Sequence, residues 1–237
     1  MDDLITQATS DDEHRRGAVV AVLPIGSFEQ HGKHLPLVTD TLVACLIAHR
    51  IATDHGLFLL PPLTLSCSHE HATMPGTVSI SAPTLYAVVH DTWRSLDASG
   101  TPGLLIVNGH GGNYVLSNLV QELNVNGPRV SLFPTREDRE RARTEAGLDS
   151  SADEDMHGGE FEVSLLLHGA PHVVREGIDE DDHTASSRSH LLTLGMAAYT
   201  PNGIIGRPSL ATAAKGKALL TSFSESAAAH LHLIGGR

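Results

Sequence analysis

Only two cysteines, Cys45 and Cys67, occur in the 237 residues, and their spacing builds neither a disulfide framework nor a cysteine-based zinc site. A reducing, cytoplasmic setting is the expectation. Basic residues are scarce as well: 16 Lys and Arg stand against 28 Asp and Glu, a formal net charge of -12. No basic cluster interrupts that acidity, which argues against nucleic-acid binding through phosphates. No apolar run approaches the ~20 residues that span a bilayer, so no membrane insertion is expected. The opening MDDLITQATSDDEHRR lacks the positive start and apolar stretch of a signal peptide. Aromatic residues make up 4%, and the single tryptophan, Trp93, sits at helical spacing and reads as core or interface. Hydrophobic content of 41% and charged content of 19% are ordinary for a folded chain and exclude disorder as a whole.

What the chain has in excess is histidine. Sixteen histidines equal the whole Lys and Arg count. Histidine is the side chain most used for metals and for proton transfer near neutral pH. Most of the sixteen must be ordinary, so position has to choose among them.

Short apolar runs alternate with helical patterns. Val19 to Ile25, Leu57 to Leu60, Gly103 to Val107 and Arg129 to Phe133 read as buried strands, and Val173-Val174 as a further short one. Helices are expected over Thr41 to Asp54, Ala82 to Leu96, Tyr114 to Leu123, the charged stretch after Pro134, from Glu162 to His168, and over Ala211 to Leu233. Residues 1–16 read as a flexible tail and 17–237 as one domain. The alternation predicts an α/β fold: a mostly parallel sheet covered by helices on both faces, a three-layer α/β/α sandwich. In such a sheet, sites gather at the carboxyl ends of the strands.

Three glycine-rich stretches fall at or near such ends. The first is GSFEQHGKHLPLVTD, Gly26 to Asp40, which places Glu29, His31 and Asp40 on a strand-to-helix connection. Two residues apart in an extended loop, Glu29 and His31 can point the same way. Asp40 has two oxygens and suits a bridge between two divalent ions, or else it merely caps the next helix. The second is NGHGGN, Asn108 to Asn113, where glycines bring the backbone close around His110, or simply make a tight turn. The third, MHGGEFE, offers His157, Glu160 and Glu162 at a helix start, where carboxylates are also favoured for purely structural reasons. His69, Glu70 and His71 form a further local cluster that lines either the mouth of a site or open solvent.

With LPIGSFEQHGKHLPLVTDT, HEHATMPGTVSI, LLIVNGHGGN, HGGEFEVSLLL and NGIIGRPSLATAAKGKALL in this order, the chain resembles the creatininase family of metal-dependent amidohydrolases. The resemblance implies a creatininase-like α/β/α domain, two divalent metal ions per chain (zinc, manganese or iron) and a closed homo-oligomer, often a hexamer. It matches Glu29, His31, Asp40 and His110 to metal ligands and His157 to the catalytic histidine. Ser68, His71 and Gly111 are the expected substrate contacts. Two departures stand out. Gly112 occupies the position of a family metal-ligand glutamate, so another carboxylate has to complete the second metal; Glu160 is the first choice and Glu162 its rival. The aromatic residues that enclose creatinine are replaced by Asp153, Glu154 and Asp155, so creatinine is not the expected substrate.

The implied activity is hydrolysis of a C–N bond in a small-molecule amide, a formamide or a short peptide, with a bridging hydroxide as nucleophile. The NGHGGN form resembles formamide hydrolases and precursor-peptide peptidases of that family alike, and a non-catalytic metal-binding scaffold is the rival class. The acidic stretch Asp149 to Asp155 beside His157 predicts discrimination against highly anionic substrates.

Overall fold

The computed structural model describes residues 4–185 and 187–235. Four strands form one sheet: β1 (Val20–Ile25), β2 (Phe58–Leu59), β3 (Gly103–Asn108) and β4 (Val130–Phe133), in the order β2-β1-β3-β4. All pairings are parallel, with Val20 opposite Gly103, Ile25 opposite Asn108 and Leu104 opposite Val130. A parallel sheet must be covered on both faces, and this one is. Along β1 and β3 the side chains alternate between two cores. Val20, Val22, Leu105 and Val107 belong to one, and Ala21, Leu23, Ile25, Leu104 and Ile106 to the other.

The first core is covered by α2 (Thr39–His55), α6 (Glu160–Gly169) and α8 (Ala213–Gly235). The second is covered by α3 (Ala82–Ala98) and α4 (Val115–Leu123). The expected α/β sandwich is present. Trp93 packs against the second core, and its indole N–H donates to the Pro102 carbonyl. Among the described residues no helix is long and apolar enough to cross a membrane. Cys45 and Cys67 are free and buried.

Three local expectations change. The stretch read as a tail carries a helix, α1 (Ser10–Arg16), because Thr9 and Asp12 form a reciprocal cap and Gly17 ends it in the left-handed region. Val173-Val174 is not a strand. The chain makes a single 3-10 turn at Pro171–Val173, and the two valines pack on the first core. The helix expected from Glu162 begins two residues earlier, at Glu160.

The charged stretch after Pro134 forms α5 (Arg136–Glu145), which is capped by Thr135. Asp138 accepts from the Thr135 N–H and hydroxyl, and the His230 imidazole of α8 lies 3.0 Å away. Burial opposes the charge on Asp138, but the Thr135 groups and His230 together hold its carboxyl below the ordinary 3.8. A depressed folded value means that this stabilisation is complete above the unfolded pKa and is lost as pH falls through the folded one. Asp138→Ala should therefore cost about 1–2 kcal/mol at neutral pH, the size of a lost N-cap plus a partly buried contact. In urea titrations the gap between wild type and variant should shrink below pH 3.8; an unchanged gap at pH 3 would contradict this account.

Candidate metal centre

The loop after β1 and the first turn of α2 meet at the carboxyl end of the sheet. Gly109, just past β3, lets that meeting happen: a Cβ there would lie 2.4 Å from the Asp40 carbonyl oxygen. Asp40 lies inside the first turn of α2 and caps nothing, because the helix starts at Thr39 with no side-chain cap. Its carboxylate is buried and accepts from the Ser27 hydroxyl at 2.7 Å through Oδ2. Oδ1 is 3.1 Å from His31 Nε2, and Oδ2 is 2.9 Å from His110 Nδ1.

Around Asp40 three groups of side chains converge closely enough to hold an ion: Glu29 with Asp40 and His110; His31 with Asp40 and Glu162; and Glu29 with His31 and His157. The histidines are oriented from behind. His31 Nδ1 is 3.1 Å from the Glu29 carbonyl, and His110 Nε2 is 2.8 Å from the Cys67 carbonyl. With one nitrogen of each ring turned to a carbonyl, the other points inward at the carboxylates, which is how metal-binding histidines are oriented. His157 follows the same pattern, with Nε2 2.8 Å from the Gln30 carbonyl and Nδ1 3.8 Å from Glu29 Oε1.

Glu29 supplies the test of whether a cation belongs here. Both of its oxygens are buried without a hydrogen bond. His110 and His71 approach Oε1 to 3.2 and 3.3 Å. A buried carboxylate with no donor is costly, and a cation removes the cost. The charges agree. Burial and then the Asp40 charge push the carboxyl groups of Glu29 and Glu162 upward. Burial opposes the positive charge on His31 and His110, yet the Asp40 and Glu29 carboxylates outweigh it and raise both. Burial and the neighbouring histidine charges depress His157 strongly and take His71 down to about 3, so both are neutral imidazoles. Three carboxyl groups this close cannot all ionise without cations among them. The donor set, carboxylates and imidazoles, suits zinc, manganese or iron.

Glu160 does not join this cluster. Its carboxylate accepts from the Ser150 N–H and hydroxyl and the Asp149 N–H, and Lys215 Nζ is 2.5 Å away. The earlier start of α6 explains the exchange. Two helical residues are ~200° apart around the axis, so Glu160 and Glu162 face opposite ways. Glu162, with Oε2 3.9 Å from His31 Nε2, faces the candidate ligand cluster and is steadied by the Gly158 N–H at 2.6 Å.

The position of the missing family glutamate is filled in another way. A Cβ on Gly112 would lie 2.2 Å from Glu70 Oε1 and 2.4 Å from His110 Nε2, so Glu70 occupies the room that a side chain there would need. Gly112→Ala should push His110 out of line. We expect a loss of about 1–3 kcal/mol of stability from overpacking and a 10-fold or greater loss of metal affinity, read by metal titration. An alanine variant that binds metal as wild type does would refute the crowding.

A cavity of about 700 Å³ opens over the cluster. His71, Gly111 and His157 line it; Ser68 is buried and is not among the lining residues. His71 is also a brace, since Gln30 Nε2 lies 3.0 Å from its Nδ1. The cavity further takes in Arg139, Arg143 and the segment Ser187–Ser189. Sequence reading missed these wall residues: α5 has the spacing of an ordinary solvated helix, and the 176–190 loop carries no motif.

A family model for creatininase, described as creatinine amidohydrolase, matches residues 5–231. Fold and site together make this chain a metal-dependent amidohydrolase. It belongs to the creatininase family. The chain is 35% identical over 209 residues to a mycofactocin precursor peptide peptidase of Mycobacterium ulcerans, covering 83% of this chain and 78% of that one. It is also similar to a solved mutant creatininase of Zn-Zn type, at 25% identity and a TM-score of 0.80 over 97% of both chains. A solved manganese creatininase matches at 25% identity and a TM-score of 0.79, over 95% of this chain and 96% of that one.

Proposed function

We propose that the chain hydrolyses the C–N bond of an amide, with short peptides as the substrate class, at a binuclear metal centre. Glu29, Asp40 and His110 would hold one ion, and His31, Asp40 and Glu162 the other. The observation that carries this reading is Asp40, which turns one oxygen to His31 and the other to His110 and so belongs to both ligand sets. Divalent ions held there would supply a Lewis acid for the carbonyl and would lower the pKa of water toward neutral.

The chain's own groups do the rest. Ser27 fixes the plane of the Asp40 carboxylate. His157 is neutral, and with Nε2–H tied to the Gln30 carbonyl its Nδ1 is free to accept the proton of the attacking water and return it to the leaving nitrogen. The cavity volume lies within the range of small-ligand sites and admits a few residues of peptide. Tyr114, Met156, Phe161 and Leu191 give it apolar wall. Trp93, the only tryptophan, is on the far face of the sheet, so no indole encloses a flat ring such as creatinine. The peptidase name of the Mycobacterium ulcerans relative supports the choice of peptides. The glutamate absent at position 112 does not favour a scaffold without turnover, because Glu162 completes the second ligand set.

The test is metal analysis with turnover. Protein loaded with zinc, manganese or iron should hold two ions per chain and hydrolyse members of a panel of short peptides and simple amides, and chelation should abolish both. One ion or none, with no turnover in any of the three metals, would end the proposal.

A further inference from the structure

The wall of the cavity over the candidate metal site carries a cation with no ion-pair partner among the described residues. Helix α5 carries four arginines. Arg136 pairs with Glu140 at 2.7 Å, Arg141 with Glu145 at 2.8 Å, and Arg143 with Asp155 at 2.9 Å. Arg139 alone makes no side-chain hydrogen bond and no ion pair among the described residues, although it is half-buried and lines the cavity. The carboxylates that it faces across the cavity, Glu162 and Asp40, lie beyond ion-pair distance and belong to the metal ligand set.

The two acids of the Asp149 to Asp155 stretch that line the cavity, Asp153 and Asp155, are each paired with an arginine. Asp149 pairs with Lys215 at 2.7 Å, Asp153 with Arg188 at 2.8 Å, and Asp155 with Arg143. Glu154 accepts from the Ser151 N–H and hydroxyl. The acids of the stretch that reach the cavity wall are thus balanced, which weakens the expectation that this wall disfavours anionic substrates, and Arg139 adds a positive charge to it.

We infer that Arg139 is the anchor for a carboxylate carried by the substrate, so that the amides cleaved here bear a free carboxylate within reach of the scissile bond. A guanidinium remains charged at any working pH and presents a planar fork that matches a carboxylate with two parallel hydrogen bonds. One unpaired arginine balances one negative charge. The other cations of the wall, Arg143 and Arg188, are already engaged, so a doubly charged phosphate would have no second counter-charge. This assignment rests on the amide-hydrolase reading and specifies its substrate.

The probes are N-formylglycine, N-acetylglycine and Ala-Gly-Ala, each with its free carboxylate and as its carboxamide, given to the zinc-loaded protein. Wild type should favour the carboxylate form roughly 10- to 100-fold in equilibrium binding and in kcat/KM, the size of a hydrogen bond to a charged group. Arg139→Gln should bring that ratio to about one with the metal content intact, and Arg139→Lys should restore part of it. Carboxamides cleaved with no preference for the carboxylate form leave the hydrolase standing and remove the anchor. Carboxylate binding that depends on Arg139 but comes with no turnover keeps the anchor and removes the hydrolase. Failure of every carboxylate form to bind, or loss of metal in Arg139→Gln with the preference unchanged, overturns the inference and makes Arg139 a companion of Glu162.

Discussion

Asp40→Ala should empty both metal positions at once and lower amide hydrolysis on the order of 10³-fold or more, the scale of losing a principal electrostatic group of an active site. No other single residue is expected to do this, because only Asp40 stands in both proposed ligand sets. Its carboxylate is buried in the first turn of α2, where the helix N-terminus favours negative charge, and its pKa is held far below the ordinary range against the pull of burial by His31 and His110. Without metals, the variant leaves those imidazoles with less counter-charge, so its fold should be checked by circular dichroism beside the metal count. A folded Asp40→Ala protein that keeps two ions and its activity would refute the shared-ligand arrangement.

The second large effect separates two glutamates two residues apart. Glu162→Gln should lose one of two ions and cost roughly 10²–10³-fold in kcat. Glu160→Gln should keep both ions and lose stability instead, by about 2–4 kcal/mol, because a buried carboxylate that ties Ser150, Asp149 and Lys215 together loses its charge. Elemental analysis and denaturant titration on both variants read the difference. Metal loss in Glu160→Gln with full occupancy in Glu162→Gln would reverse the assignment.

That pair also shows where sequence reading stops. The carboxylate was narrowed to Glu160 or Glu162 by the glycine turn before them. The choice depended on the residue at which α6 begins, and a shift of two helical positions turns a side chain to the opposite face. Gly159 provides that start without a side-chain cap, so no capping residue marks it in the sequence. The tail helix is the opposite case: Thr9 and Asp12 stand in the spacing of a reciprocal cap, a signal that an acidic, polar opening obscures.

The four strands and the parallel sheet follow from the amino-acid sequence by itself, and its motifs, with the resemblance to the creatininase family, single out Glu29, His31, Asp40, His110 and His157 as candidates. The information for the sheet is local: apolar runs short enough for strands, and glycines where the backbone must turn. Only the tertiary structure decided what depends on residues far apart in the chain. It turned Glu160 toward Lys215 and Glu162 toward His31, filled the space over Gly112 with Glu70, and paired Asp149 with a lysine and Asp153 and Asp155 with arginines. It also left Arg139 in the cavity wall without an ion pair among the described residues. Whether a charge has a partner depends on which distant groups the fold brings within about 4 Å, and no spacing along the chain encodes that distance.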